Sequence, residues 1–381
     1  MTDVAIVGAG PAGSTVALQL ARTGYEVVVL ERSRFPRMKV CGDYLCAGAV
    51  NALRDLGVGD SVLAGAHPIR SIALHAFGAR ARMRLPGSGA ASLARAQLDE
   101  RLLAQARTAG ATVIHGVYLR ADETARALCI HYRDQHGVQR EFETRVLVGA
   151  DGAWSTVAQR AGLVDAARRA GRWAVGGELR DQPASHELLM YVGTGGYYAR
   201  NPLSATSTNS MLVMPRPARA PEADAVVERI TRGACRFERE KIDHPVAVGP
   251  LRYRASRIMA GRILLTGDAA ELLDPFTGQG VATAIELSSA AAAAAAGLLR
   301  GKPSGDVARS YTAQWRTIVA PRRTLGRLIE TLIRNPFLRR RVAAGMHRDP
   351  RAAHAILASA CGIAPARDAF APGVVARLLA S

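Results

Sequence analysis

The chain has 381 residues, enough for two or three domains, and its longest alanine-rich run, residues 289–299, is too short to span a bilayer. Its formal net charge is +18, but only three lysines are present and the arginines are dispersed, which argues against a nucleic-acid-binding patch. Five scattered cysteines do not make a disulfide framework. A glycine-rich motif at residues 8–13 begins almost at Met1, where a signal peptide would otherwise lie. We therefore expect a soluble, cytoplasmic protein without a signal peptide.

The first 32 residues carry the most specific pattern in the chain. An apolar run at residues 4–7 predicts a buried parallel strand, and Gly8-Ala9-Gly10-Pro11-Ala12-Gly13 follows it directly. A helix is predicted over residues 14–23, and a second strand over residues 26–30 ends in the acidic residue Glu31. Strand, glycines, helix, strand and acid in this register predict a dinucleotide-binding unit.

Each part of this unit has a physical role. Gly8 allows the tight turn, Gly10 lets the backbone approach a pyrophosphate, and Gly13 lets the helix pack closely on the strand. The helix N-terminus faces the negative charge of the ligand. Glu31 is placed to accept hydrogen bonds from ribose hydroxyls.

The remaining elements follow in chain order. They are a helix at residues 47–56, paired strands at 69–77 and 80–85, an amphipathic helix from 92 to 110, strands at 111–117, 129–132 and 139–142, and a buried strand at 146–148. Residues 173–213 are β-rich and predict an antiparallel sheet, which a helix at 221–235 follows. Residues 306–381 are predicted to be helical, with an apolar face formed by Leu325, Leu328, Ile329, Leu332 and Ile333.

Two further glycine-rich turns follow buried strands. The first is Gly149-Ala150-Asp151-Gly152, and the second is the segment 267–280, which leads into a long alanine-rich helix. Backbone N–H groups at such turns point at a ligand, so both turns are predicted to contact the nucleotide. The predicted fold is α/β, with a Rossmann-like nucleotide domain, an antiparallel substrate domain and a C-terminal helical segment. The nucleotide domain takes residues 1–68, 92–165 and 251–301, the substrate domain takes 69–91 and 166–250, and the helical segment takes 302–381.

In their order and spacing the three motifs resemble the FAD-dependent oxidoreductases built like p-hydroxybenzoate hydroxylase, whose cofactor domain is of the glutathione reductase type. The loop Arg37-Met38-Lys39-Val40-Cys41-Gly42-Asp43, together with Arg95-x-x-Leu98-Asp99, is most similar to the geranylgeranyl reductase family. The resemblance covers residues 1–301 and implies a tightly held FAD. No second Gly-x-Gly-x-x-Gly occurs, so NAD(P)H is expected only as a transient reductant.

By this resemblance the first motif holds the AMP half of FAD, and the flavin ring lies beside the segment 275–280. The implied cofactor-binding residues are Gly8, Gly10, Pro11, Ala12, Gly13, Glu31, Arg32, Lys39, Cys41, Gly42, Arg95, Asp151, Gly152, Gly267, Asp268, Pro275, Gly278, Gln279 and Gly280. The helix that begins near Gln279 would aim its N-terminus at the flavin and stabilise the anionic reduced ring.

The resemblance implies reductase-type hydride transfer from reduced flavin to a hydrophobic or aromatic small molecule of isoprenoid or specialised metabolism. Candidate proton donors are Cys41, Tyr44, Tyr197 and Tyr198. The alternative is a flavin C4a-hydroperoxide monooxygenase, which would hydroxylate an aromatic or polyketide-like substrate, either free or carrier-bound. An acyl carrier protein is a candidate partner for the arginine-rich C-terminal helices, whereas peripheral membrane contact is not favoured.

Two smaller features leave further alternatives open. Cys41 and Cys46 form a C-x4-C pair after the first nucleotide motif, as in disulfide reductases, so a flavin/dithiol oxidoreductase is a second alternative. Two reduced, structural thiols are the simpler interpretation. The histidines, including His131, show no metal-ligand spacing, so no metal is predicted.

Overall fold

A computed structural model describes residues 1–85, 89–165, 171–215, 220–237, 241–360 and 362–379. Parts of the predicted substrate domain (86–88, 166–170, 216–219 and 238–240) and of the C-terminal segment lie outside the described residues. The strands are β1 (Thr2–Val7), β2 (Val27–Glu31), β3 (Tyr44–Leu45), β4 (His67–Ile69), β5 (Ser71–Ala76), β6 (Ala79–Arg84), β7 (Ala90–Ser92), β8 (Thr112–Glu123), β9 (Leu128–Asp134), β10 (Gln139–Gly149), β11 (Trp173–Leu179), β12 (Glu187–Gly193), β13 (Gly196–Pro202), β14 (Thr208–Met214), β15 (Ile242–Val248), β16 (Tyr253–Arg254), β17 (Met259–Ala260), β18 (Ile263–Leu265) and β19 (Glu271–Leu272). The helices are α1 (Pro11–Arg22), α2 (Ala47–Asp55), α3 (Gly59–Val62), α4 (Arg95–Thr108), α5 (Thr156–Arg160), α6 (Ala220–Thr231), α7 (Gly280–Leu299), α8 (Ser304–Arg334), α9 (Pro336–Arg348), α10 (Pro350–Ala360) and α11 (Pro372–Leu379).

The first sheet carries the nucleotide motifs. Its core is parallel, because β1 pairs with both β2 and β10, β2 pairs with β8, and β10 pairs with β18. Strand β9 pairs antiparallel with both β8 and β10 and completes a meander. The separate ribbon and strand predicted at 139–142 and 146–148 are wrong in one respect, since β10 runs through both without a break. Helix α1 packs between α4 and α7 against this sheet.

The second sheet has the order β15-β11-β14-β13-β12-β5-β6 and is antiparallel except where β5 pairs in parallel with β12. Side chains alternate between its two faces, as in any strand. One face is turned toward the nucleotide domain. The other face forms a separate small core with α6 and Phe237.

The C-terminal helices pack on both sheets. Helix α7 is 20 residues long and contains an 18-residue stretch with a mean hydropathy of 1.5, so by length and composition alone it could cross a membrane, yet 67% of that stretch is buried inside the protein. Helix α8 packs on α7, and helices α9 and α10 contact β6. On the predicted apolar face of α8, Leu325 and Ile329 are buried. The prediction of an α/β fold with C-terminal helices is confirmed.

Candidate active site

In the dinucleotide loop, residues 8–13, main-chain atoms of neighbouring segments lie in close contact. Helix α1 begins at Pro11, three residues before the predicted start, because proline in the first turn loses no helical hydrogen bond. Gly8 has φ +99°, and a Cβ there would lie 2.5 Å from the carbonyl oxygen of Ala150. A Cβ on Gly13 would overlap the carbonyl oxygen of Gly8. Gly10, Pro11 and Ala12 line a cavity at the start of α1, where the backbone N–H groups of the first turn, which Pro11 lacks, have no acceptor within the helix.

Glu31 holds the dinucleotide loop in place, and Asp151 holds the turn that leads into α5. The Glu31 carboxylate is buried and accepts hydrogen bonds from the backbone N–H of Ala9 at 2.7 Å and of Ser33 at 2.8 Å. Asp151 was predicted to face the nucleotide, but its carboxylate accepts from Ser155 Oγ at 2.5 Å and from the N–H of Thr156 at 2.7 Å. Asp151 thus caps the start of α5. Its neighbours Ala150 and Gly152 line the cavity instead, whereas the predicted contact Arg32 is exposed.

A cluster of cations lies next to the dinucleotide loop. Arg95 is buried and donates two hydrogen bonds to Asp99, at 2.8 and 2.9 Å. Burial lowers the pKa of Lys39, and the charge of Arg95 lowers it further. Arg37, which the sequence prediction missed, lies 3.4 Å from Asp99, and its buried Nε has no hydrogen-bond partner. Its Nη2 lies 3.6 Å from where a Cβ on Gly10 would stand, so the cluster faces the loop.

This arrangement fits the diphosphate of FAD. Buried cations and an unpartnered guanidinium N–H surround a cradle that glycine leaves open, and phosphate oxygens would satisfy them. Asp268 lines the same cavity at the short 3₁₀ helix Gly267–Ala269, where a Cβ on Gly267 would lie 2.7 Å from Cβ of Ala12.

The loop that follows β2 forms one side of the cavity. Asp43 accepts from the N–H of Arg95 at 3.0 Å and from Asn209 Nδ2 at 2.6 Å, and burial raises its pKa to about 6. Asn209 also donates to the carbonyl of Cys41 at 2.9 Å. The Cys41 thiol is half-buried in the cavity wall, and its pKa is raised by burial and by the charge of Asp43. Gly42 and Tyr44 line the cavity beside it.

The two cysteines of the C-x4-C pair occupy different environments. Cys46 is fully buried at the start of α2, and a Cβ on Gly362 would lie 3.1 Å from its sulfur. Both thiols are free, and burial raises the pKa of both. Cys41 lines the cavity whereas Cys46 does not. The geometry therefore argues against a redox dithiol.

The segment 267–280 ends at the N-terminus of α7. Gly278 adopts φ +60°, and a Cβ there would lie 2.6 Å from the ring of Tyr44. Gln279 directly precedes the helix. Its Nε2 donates to the carbonyl of Ser359 at 2.9 Å, and its Oε1 accepts from Arg322 Nε at 2.9 Å. The first turn of α7 carries no acidic side chain, so no carboxylate of that turn offsets the positive pole of the helix at Gly280, which lines the cavity.

The second sheet closes the cavity with an apolar wall. The wall consists of Ala174, Leu188, Met190, Ala199, Met211, Val213 and Val248. Tyr197 also lies on this face, and its hydroxyl donates to Asp274 at 3.0 Å. Burial and the nearby Asp274 raise the pKa of Tyr197 well above its usual range. Tyr197 therefore keeps its proton at neutral pH.

The prediction of Tyr198 as a proton donor in the cavity is wrong. Neighbouring residues of a strand point to opposite faces, and the Tyr198 ring packs against Phe237 in the small core under α6. Its hydroxyl lies 2.8 Å from Ser210 Oγ. Within the part of the chain that the structure describes, Tyr198 is not among the residues that line the cavity.

One group of potential metal ligands lies away from the cavity, on the β8–β10 meander. The ligand atoms of Cys129, His131 and Glu141 lie within 4.8 Å of one another. His131 Nε2 lies 2.9 Å from a carboxylate oxygen of Asp122, and His131 Nδ1 lies 3.3 Å from one of Glu141, so the imidazole already has partners. Exposed groups of this kind occur without a metal, and the absence of a metal stays a prediction.

The comparisons with known proteins bear on the family, the cofactor and the fold. A family profile described as "FAD binding domain" matches residues 1–322. Menaquinone reductase of Mycobacterium tuberculosis is 31% identical over 325 residues, which cover 76% of this chain and 75% of that protein. Digeranylgeranylglycerophospholipid reductase 2 of Methanothermobacter thermautotrophicus is 30% identical over 333 residues, which cover 82% and 83% of the two chains. A flavoprotein/dehydrogenase from Cytophaga hutchinsonii has a TM-score of 0.82 at 21% identity over 95% and 92% of the chains, a likeness that concerns the fold.

The fold and the site thus define a flavin-dependent oxidoreductase. The chain belongs to the FAD-binding family of p-hydroxybenzoate hydroxylase-like flavoproteins, and menaquinone reductase and digeranylgeranylglycerophospholipid reductase 2 are among its relatives. The prediction of FAD as cofactor is confirmed.

Proposed function

We propose that the protein reduces carbon–carbon double bonds in an isoprenoid chain. The observation that carries the proposal is the apolar sheet wall that lines the same cavity as the N-terminus of α7. An unactivated alkene offers no hydrogen-bonding groups, so its site requires apolar surface and exclusion of water. The names of the relatives, menaquinone reductase and digeranylgeranylglycerophospholipid reductase, support this class of substrate.

Bound FAD, once a reductant has reduced it, would supply the hydride, and the protein's residues hold the reactants and the proton. The positive pole of α7 at Gly280 favours negative charge on the ring it faces. The thiol of Cys41 lines the cavity, and its raised pKa keeps it protonated at neutral pH. It is our proposed proton donor to the carbon skeleton. Tyr197 is tied to Asp274 and positions the wall.

A nicotinamide dinucleotide that binds transiently is the proposed reductant, since the sequence has one Gly-x-Gly-x-x-Gly motif, which FAD occupies. A carrier-bound substrate gains no support from the relatives, and we do not extend the proposal to an acyl carrier protein.

The product distinguishes the proposal from hydroxylation. The FAD-bound protein is reduced with dithionite under nitrogen and incubated with geranylgeraniol, and the product is analysed by mass spectrometry. The proposal expects a gain of two hydrogens per reduced double bond without oxygen. A product that appears only after oxygen is admitted and carries an added oxygen atom would establish the monooxygenase instead.

A further inference from the structure

The cavity between the dinucleotide loop and the apolar sheet wall is called the flavin cavity from here on. A second cavity lies beside it, between α8, the turn that joins β12 to β13, and residues 251–254. Its volume is ≈ 760 Å³. We name it the arginine chamber, because eight arginines line it: Arg172, Arg252, Arg254, Arg322, Arg323, Arg327, Arg334 and Arg339. The carboxylates on its wall are Glu271, Asp274 and Glu330. Cations therefore outnumber anions on its surface.

Five of the eight arginines have carboxylate partners. These ion pairs are Arg172 with Asp274, Arg254 and Arg323 with Glu271, Arg322 with Glu286, and Arg334 with Glu330. The pair formed by Arg323 and Glu271 is bidentate, with distances of 2.6 and 2.5 Å. All three of these carboxylates are thus engaged with cations, and no wall carboxylate among the described residues is left to balance the other arginines.

Arg252, Arg327 and Arg339 have no carboxylate partner within the described residues. Arg339 is nonetheless held in place, since its Nη1 donates to Thr194 Oγ1 at 3.1 Å and its guanidinium stacks over Phe77 at 5.0 Å. Three like charges around one cavity repel one another, and an anion between them would remove that repulsion.

The arginine chamber shares a wall with the flavin cavity. The residues common to both are Leu251, Glu271, Leu272, Leu273 and Asp274. The two cavities are therefore adjacent, and three of the five shared residues are leucines, which would offer apolar surface to a ligand that extends from one cavity to the other. An amphipathic ligand could place its anionic end among the arginines and its apolar part at the flavin.

We propose that the arginine chamber binds the phosphate or diphosphate group of a ligand whose other end reaches the flavin cavity. Guanidinium groups match phosphate oxygens in a two-pronged geometry, which makes arginine the residue suited to this anion. Two ligands bring this chemistry: a prenyl diphosphate substrate and the nicotinamide dinucleotide reductant. The link to the flavin rests on the proposed function, whereas the anion site does not.

Binding of inorganic diphosphate tests the site directly. The FAD-bound protein is titrated calorimetrically as wild type, as Arg327→Gln/Arg339→Gln, and as Arg316→Gln. Arg316 is a matched control because it lies exposed on α8, outside the arginine chamber. We expect the double variant to bind at least about tenfold more weakly, Arg316→Gln to bind like wild type, and affinity to fall as salt is raised. Equal binding by the double variant, or no binding by wild type, overturns the site. Flavin absorbance and the melting temperature verify that each variant is folded.

Kinetic measurements on the same variants identify the ligand. If a prenyl diphosphate occupies the arginine chamber, the double variant raises KM for geranylgeranyl diphosphate at least about tenfold with dithionite as reductant, and leaves KM for geranylgeraniol unchanged. If the nicotinamide dinucleotide occupies it, NADPH reduces the flavin more slowly while dithionite reduction is unaffected. Loss of diphosphate binding with none of these changes overturns the link to the flavin. Failure of wild type to reduce any double bond would instead remove the proposed function and leave the calorimetric result standing.

Discussion

The two ends of the flavin cavity are built on different principles. At the nucleotide end, glycines let backbone approach backbone, and the groups that face the ligand are N–H donors and buried cations. At the sheet end, the wall is made of apolar side chains from separate strands. The structure of the nucleotide end is therefore sensitive to single atoms, since a methyl group added at Gly8 or Gly13 would overlap main-chain atoms. The sheet end depends on volume and shape, which several side chains determine together.

The largest effect is expected from Gly13→Ala, since the new Cβ would overlap the Gly8 carbonyl oxygen and neither backbone can move independently. We expect a loss of about 4 kcal/mol or more in the free energy of unfolding and loss of FAD absorbance in the purified protein. Gly305→Ala is the matched control, because Gly305 also lies in the first turn of a helix, α8, but has no close contact there. Gly305→Ala should bind FAD normally. A stable, yellow Gly13→Ala protein would show that the nucleotide end is less constrained than its geometry indicates.

Asp99→Asn should have the next largest effect. Asp99 is fully buried between Arg95 and Arg37, and its neutralisation leaves buried positive charge without a partner. Removal of one member of a buried ion pair costs about 3–5 kcal/mol. Denaturant unfolding measures this change, and Asp306→Asn, which removes only an exposed pair with Arg309, should cost less than about 1 kcal/mol. Equal effects of the two substitutions would contradict the buried role of Asp99.

Asp43→Asn should change how stability depends on pH. Burial raises the pKa of Asp43 in the folded protein to about 6, above its value in the unfolded chain. The free energy of unfolding therefore contains the full contribution of Asp43 below about pH 4 and loses it as the pH rises through 6. This loss is about 3 kcal/mol at most. The difference in unfolding free energy between the variant and wild type should follow this curve. Asn209 can present its unpartnered Oδ1 to the new amide only by giving up its hydrogen bond to the Cys41 carbonyl, and this cost does not depend on pH. A difference that stays constant from pH 4 to 7 would refute the raised pKa.

The smallest effect concerns the two thiols and leaves the fold unchanged. At alkaline pH, where part of the Cys41 thiol is ionised, iodoacetamide should modify Cys41 in the FAD-free protein and more slowly once FAD is bound, whereas the fully buried Cys46 should stay unmodified in both. Peptide mapping by mass spectrometry reads out each cysteine separately. Rapid modification of Cys46 in the folded protein, or a disulfide between the two, would restore the dithiol alternative.

The sequence predicted the nucleotide end in more detail than the sheet end. The glycine motifs are local, so their spacing along the chain reports their spacing in the structure. The contact between Asp43 and Asn209 joins residues 166 positions apart, and no local pattern announces it. Arg37 was quoted in the family pattern, but its position beside Gly10 depends on how the loop folds back.

The β-rich segment shows a second limit. Alternation implies that Tyr197 and Tyr198 face opposite sides, but the pattern alone does not say which side holds the cavity. The structure decides it through α6, which covers the Tyr198 side. The parallel pairing of β5 with β12 was likewise not predicted, because it joins strands more than a hundred residues apart.

Anaerobic reoxidation of the reduced flavin by an alkene tests the central claim most directly. Wild type, Ala199→Trp and the control Val138→Trp, whose side chain is 49% exposed in wild type, are reduced with dithionite and mixed with geranylgeraniol in a stopped-flow instrument. The account predicts that wild type and the control recover oxidised flavin absorbance without oxygen. Ala199→Trp, which fills the cavity at the sheet wall, should retain FAD but reoxidise at least about tenfold more slowly. Reoxidation that requires oxygen in wild type, or an unchanged rate in Ala199→Trp, would contradict it.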